Sequence, residues 1–184
     1  MVIILIKFIC GIDPGLAGGL CILQKGDTHN VVDVRIMPIT STSDKDINMG
    51  VIKNYLSYYK PHLTIIERQI VVRPRMVAGK EQRQGLGSSA KTMFNYGRLI
   101  GLLEGIGLNY VVVDSREWQS HYADMAPPIK WTYNKPTKTR SVSIAVDLYP
   151  TVNLFRTPLC HKPHDGMAEA VLLAHYGAEV IDGL

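Results

Sequence analysis

The sequence lacks most of the features that mark a specialised chain. It has only three cysteines, Cys10, Cys21 and Cys160, an odd number without framework spacing. That excludes a disulfide-stapled scaffold and fits reduced thiols in a cytosolic setting. No apolar run is long enough to cross a bilayer. The most apolar stretch, "MVIILIKFICGI" at the start, also lacks a charged leader and a cleavage site, so it reads as a buried strand. There are no internal repeats, no low-complexity tracts and no G-K-[ST] phosphate loop. A zinc site is poorly served: Cys160, His161 and His164 lie close together, but a fourth ligand and paired spacing are missing.

What is present is an ordinary globular composition. Of 184 residues, 46% are hydrophobic and 20% charged, enough to bury a real core in one domain spanning 1–184. The net charge of +4 permits an anionic partner without demanding one. Its distribution says more. Between Glu67 and Arg98 stand Arg68, Arg73, Arg75, Lys80, Arg83, Lys91 and Arg98 against Glu67 and Glu81 alone. Between Lys130 and Arg140 stand Lys130, Lys135, Lys138 and Arg140 with no acid. Two basic stretches suit a polyanion, nucleic acid above all, although two solvated loops would show the same pattern.

Hydrophobic periodicity outlines the elements. Residues 2–12 form a β-branched run closed by "DPG", and 18–25 and 30–37 follow as two more strands. A helix is expected over 44–59, a buried strand over 63–67, a long helix over 87–107 and a fifth strand over 109–114. A short helix starts near Asp114, with Glu117 placed as a capping-box partner. Two final helices cover 138–149 and 165–177, after a proline-rich basic loop at 125–137. The order βββ-α-β-α-β-α-α implies an α/β fold, a mixed five-stranded sheet with helices packed on its faces.

Four acids interrupt this apolar framework. Asp13 follows "FICGI" and Glu67 ends "LTII", where a carboxylate is costly unless paired or holding a cation. Asp165 and Glu169 lie one helical turn apart on a helix with an otherwise apolar stripe, where like charges repel. Each has a bland explanation. Asp13 opens a turn, Glu67 has Arg68 beside it, and Asp165 stands where a helix cap belongs. Glu169 has none. Together they are four hard oxygen ligands, suited to a pair of Mg²⁺ or Mn²⁺ ions and not to zinc. Paired metals of this kind serve phosphodiester hydrolysis, activating a water and stabilising the leaving oxygen.

Three motifs in order, "GIDPGLAGGLCIL" (11–23), "IIERQ" (65–69) and "HDGMAEAVLLAHYG" (164–177), resemble the RuvC family of Holliday junction resolvases in the ribonuclease H-like superfamily. The likeness is greatest to the chloroplast-type resolvases and their bacterial and phage relatives. It extends through "FNYGRLIGLLEG" (94–105), Trp118 and "KTRSVSIAVDLYP" (138–150). The resemblance implies a homodimer that binds four-way DNA junctions and nicks two opposed strands symmetrically with divalent metal. It places Asp13, Glu67, Asp165 and Glu169 at the four catalytic positions, with Lys138 matching a lysine that recurs before the penultimate helix. Two departures concern Asp165. The chloroplast-type pattern has histidine there, and the bacterial pattern spaces its last two acids by three, not four.

The segment 70–96 falls where the chloroplast-type relatives carry a base-recognition element. Its arginines and glycines, with Gln82 and Gln84, suit approach to DNA. Phe94 and Tyr96 either stack on bases or belong to the core of the long helix. Gly97, Gly101 and Gly105 share one helix face, open to close approach by a dimer mate or by another helix of the same subunit. The proposed DNA contacts are therefore Arg68, Arg73, Arg75, Lys80, Arg83, Gln84, Lys91, Phe94, Tyr96, Lys130, Lys135, Lys138 and Arg140. Three other readings compete. "GIDPGLAGG" also resembles the first phosphate loop of actin and Hsp70-like ATPases, but those need a duplicated domain for which 184 residues are too few. A ribonuclease H-like enzyme on RNA or RNA–DNA hybrid, and a non-catalytic branched-DNA-binding protein, use the same fold. A cytoplasmic or organellar setting with no membrane suits all of these.

Overall fold

The structure, a computed structural model, describes residues 7–41, 45–70, 75–77, 80–82, 85–125 and 136–180, leaving aside the side chains of 75–77, 80–82, 86 and 136–139. Strands β1 (Lys7–Asp13), β2 (Gly19–Lys25) and β3 (Asn30–Ile36) form an antiparallel meander with a register shift at Ile22/Leu23. Helix α1 (Met49–Tyr59) leads to β4 (Leu63–Glu67), which lies parallel to β1 on the side away from β2. A small ribbon of β5 (Arg75–Val77) and β6 (Lys80–Gln82) precedes α2 (Leu86–Gly105). Strand β7 (Tyr110–Val113) then joins β4 in parallel, completing the sheet order β3-β2-β1-β4-β7. Helices α3 (Ser115–His121), α4 (Pro136–Leu148) and α5 (Asp165–Val180) follow.

Both faces of the sheet are covered, which is why its central strands read as nearly continuous apolar runs. On one face Ile9, Cys21, Leu23 and Ile65 pack with Trp118, Ile144 and the buried side of α5. On the other, Cys10, Ile12, Ile22 and Ile66 pack with Ile52 and Leu56 of α1 and Leu99 and Leu103 of α2. The expected α/β architecture, its five strands and its two helical layers are therefore all present.

Four local features differ from the sequence expectation, each for a local reason. Helix α1 begins at Met49 and not at 44, because Asn48 takes the cap, its side chain accepting from Val51 N at 3.2 Å. The residues before it stay extended, with Ile39 and Ile47 bridging in antiparallel fashion. At α3 the capping box does not form. The Asp114 side chain makes no cap bond and instead accepts from Arg68 Nε at 2.8 Å, while Glu117 accepts from Tyr176 Oη at 3.0 Å. Helix α5 runs three residues past Gly177, which is a packing glycine: a Cβ there would strike the Ile65 side chain. The β5–β6 ribbon was not expected, its strands being too short for alternation to register.

Glycines seat α5 on the sheet. A Cβ on Gly11 would overlap the backbone of Ala170 and Ala174, and one on Gly166 would overlap Ala17 and Gly18. Gly19 likewise lies against Gly166. The helix thus touches β1 and the turn after it backbone to backbone, with no side chain between. Gly11→Ala is expected to force these apart and cost about 2–3 kcal/mol, the usual scale of overpacking. A denaturation midpoint equal to that of the parent would show that α5 is not held this closely.

Candidate metal centre

The parallel pairing of β1 and β4 brings Ile12 level with Ile66, so Asp13 and Glu67 emerge side by side at the carboxyl ends of neighbouring strands. That edge is where open α/β sheets place their ligands. Glu169 comes down from α5, one turn into the helix that the glycine contacts press onto this edge. One carboxylate oxygen from each of Asp13, Glu67 and Glu169 lies within 4.8 Å of the others, and all three residues are half-buried. Among the described residues this is the one group of three or more His, Cys, Asp or Glu side chains so gathered.

The electrostatics of the trio suits a cation. Burial, and then the charge of Asp13, push the Glu67 carboxyl up to about 7, partly offset by the indole N–H of Trp118. Three carboxylates this close repel unless a cation or protons stand between them. An all-oxygen donor set fits a hard divalent ion and not zinc. Asp13 serves two ends at once: its Oδ1 accepts from Gly15 N at 3.3 Å, closing the D-P-G turn, and Gly18 N donates to Gly15 O at 2.8 Å. Closing the turn thus leaves Asp13 within the acidic trio.

Asp165 is the first residue of α5 and is not among the carboxylates that meet within 4.8 Å. Neither is it the cap. His164 fills that position: Met167 N donates to its Nδ1 at 3.2 Å, and Ala168 N donates to its carbonyl at 3.2 Å. The sequence reading missed His164 because histidine is not a favoured cap residue. His164→Ala is expected to cost about 1 kcal/mol of stability, the ordinary value of a lost cap, measured by thermal unfolding.

The expected DNA contacts are distributed unevenly. Arg73, Arg83, Gln84, Lys130 and Lys135 lie outside the described residues. Arg75 and Lys80 stand on β5 and β6, and Lys138 in the first turn of α4. Arg68 follows Glu67 directly and pairs with Asp114 at 2.8 Å, both ends largely exposed. Lys91, 3.5 Å from Asp46, lines a cleft of about 80 Å³ between α2 and the turn Pro14–Leu16 that follows Asp13. Arg140 is committed inward, donating to the carbonyls of Tyr122 and Ala123 at 2.9 Å each. The two aromatics separate: Tyr96 packs on the core, whereas Phe94 is 61% exposed with the Arg98 guanidinium 5.4 Å above its ring. The face holding Gly97, Gly101 and Gly105 is open: among the described residues no atom lies within 4 Å of a Cβ at any of them.

No family model matches the sequence, and no curated protein matches it significantly. Solved structures do. The chain is similar to RuvC of T. thermophilus in complex with a Holliday junction substrate, with a TM-score of 0.60 and 12% identity over 94% of this chain and 92% of that one. It is similar to the yeast mitochondrial Holliday junction resolvase, with a TM-score of 0.57 and 16% identity over 94% and 78% of the two chains. The fowlpox virus resolvase, in complex with Holliday junction DNA, gives 0.53 and 14% over 94% and 99%. At such identities the likeness is one of fold, and it spans nearly the whole chain. The architecture is that of the RuvC-like resolvase fold.

Proposed function

We propose that this chain is a divalent-metal-dependent endonuclease that resolves four-way DNA junctions as a homodimer, nicking two opposed strands symmetrically. The observation that carries the proposal is the meeting of Asp13, Glu67 and Glu169 within 4.8 Å at the carboxyl edge of the sheet. The solved structures of this fold that it resembles are junction resolvases, two of them holding junction DNA.

In this reading the trio holds Mg²⁺ or Mn²⁺, two ions per site, with Asp165 as the fourth carboxylate one turn before Glu169. Bound metal supplies an activated water and stabilisation for the leaving 3′ oxygen. The chain's own groups do the rest. Lys138 steadies the scissile phosphate. Arg68, next to Glu67, and Lys91, beside the turn after Asp13, take the flanking backbone, exchanging their present carboxylate partners for phosphate. Arg140 would join them only by leaving the carbonyls of Tyr122 and Ala123 just after α3. Phe94, exposed beside Arg98, is placed to stack on an unpaired base. The open glycine face of α2, flanked by exposed Met93, is the proposed contact between subunits.

The test compares a four-way junction, linear duplex and RNA–DNA hybrid, each with Mg²⁺ and with EDTA. Junction cleavage that requires metal is expected. Metal-indifferent cleavage or a preference for hybrid would overturn the proposal, and tight junction binding with no cleavage would favour a non-catalytic binder. Light scattering at assay concentration is expected to give twice the monomer mass; a monomer would remove the basis for symmetric nicking. No described helix is long and apolar enough to cross a membrane, and the proposed setting is the bacterial or phage-infected cytoplasm or an organelle.

A further inference from the structure

We propose that Trp118 is a positioning residue for the metal centre, its indole N–H holding the Glu67 carboxyl in the orientation that leaves one oxygen free for the ion. The inference rests on the reading of Glu67 as a metal ligand and deepens it. Trp118 lies in the first full turn of α3 and is 1% exposed. Its Nε1 is buried and closes no hydrogen bond of ordinary geometry with any described residue. A buried N–H without an acceptor is unfavourable, and an apolar ring would fill the same space without that penalty. Packing alone therefore does not account for an indole here.

The acceptor on its side of the sheet is Glu67, two residues beyond Ile65 on the same face of β4, where Ile65 and Trp118 belong to one buried cluster. The charged form of that carboxyl is favoured by the Trp118 side chain, the one hydrogen-bonding influence on it besides burial and Asp13. The backbone explains the approach. Glu67 is level with Val113 across the β4–β7 pair, and Arg68 N donates to Val113 O at 2.8 Å. Helix α3 starts two residues later, with Trp118 N donating to Asp114 O at 3.3 Å. One turn of helix then returns the fourth residue, Trp118, to the sheet face where it packs in one cluster with Ile65 and Val113. Edge-on packing against Tyr122, at 6.3 Å between ring centres, fixes the plane of the indole. A glutamate at a strand end otherwise has several rotamers to lose on binding an ion, and partners that orient metal ligands are typically worth about 10–100-fold in affinity.

The test replaces Trp118 with 3-benzothienylalanine, an isostere carrying sulfur in place of N–H, in a Trp131→Phe background so that one site changes. Mn²⁺ affinity is read by calorimetry and by electron paramagnetic resonance, without DNA. The isostere is expected to bind Mn²⁺ about 10–100-fold more weakly than its Trp131→Phe parent, while the metal-free melting temperature stays level or rises. Trp118→Phe is expected to shift affinity in the same direction. Affinity within twofold of the parent, or a parent that binds no Mn²⁺, would overturn the inference. Trp118-dependent Mn²⁺ binding in a protein that cleaves no junction would leave it standing while removing the nuclease proposal.

Discussion

Asp13→Asn is expected to lower junction cleavage by roughly a thousandfold or more, leave junction binding within a few fold, and raise the thermal stability of the metal-free protein. The three outcomes have one origin. Asparagine keeps an acceptor oxygen for Gly15 N, so the D-P-G turn closes as before. It removes one of three carboxylate charges gathered within 4.8 Å, and with it the repulsion between Asp13 and Glu67. It also removes a negative ligand from the proposed metal centre, where transition-state stabilisation amounts to several kcal/mol, each 1.36 kcal/mol being tenfold in rate. Activity and stability therefore move in opposite directions, as they do where a site stores unfavourable charge. Rates on a four-way junction, binding by gel shift in Ca²⁺ and a melting curve in EDTA check the set. A variant that unfolds or loses binding would assign Asp13 a structural role alone.

Metal loading is expected to depend steeply on pH below neutrality. With the Glu67 carboxyl pushed up to about 7, an ion must displace its proton below that pH. Apparent Mn²⁺ affinity should then rise about tenfold per pH unit from 5 to 7, roughly a hundredfold in all, and flatten above. The stability of the metal-free protein runs the other way. Folded Glu67 holds its proton to a higher pH than the unfolded chain, whose glutamate titrates near 4.5. The folded state therefore binds more protons between these two values, and stability falls as pH rises through that window. The full effect is about 3 kcal/mol at 1.36 kcal/mol per pH unit. Calorimetric titration with Mn²⁺ and melting curves from pH 5 to 8 read both trends, and Glu67→Gln should flatten the second. A pH-independent affinity below 7 would place the ion away from Glu67.

Much of this site is legible in the chain because acids stand out against an apolar background. Asp13 after "FICGI" and Glu67 after "LTII" are conspicuous because a buried strand tolerates no charge without a reason. Glu169 is conspicuous for a different one, since it breaks an apolar helix face and caps nothing. Asp165 is harder, because a helix start gives an acid a purpose by itself. The real cap, His164, could not be told from its neighbours, since capping is a matter of backbone angle and ring orientation. Phe94 and Tyr96 show the same limit. Two residues apart on one helix, they differ by about half a turn, and which faces the core depends on how α2 is rotated against the sheet.

Local composition and periodicity thus outlined the five strands of the main sheet, the helices and which acids stand out, because each depends on residues near one another in sequence. Convergence does not. That Asp13 and Glu67 end level follows from the parallel register of β1 and β4, whose pairing joins residues more than fifty positions apart. That Glu169 reaches them follows from glycine contacts between α5 and the start of the chain, where the absence of a side chain allows two backbones to touch. The burial that pushes Glu67 up to about 7 arises only when those distant segments close around it and exclude the water that would solvate its charge.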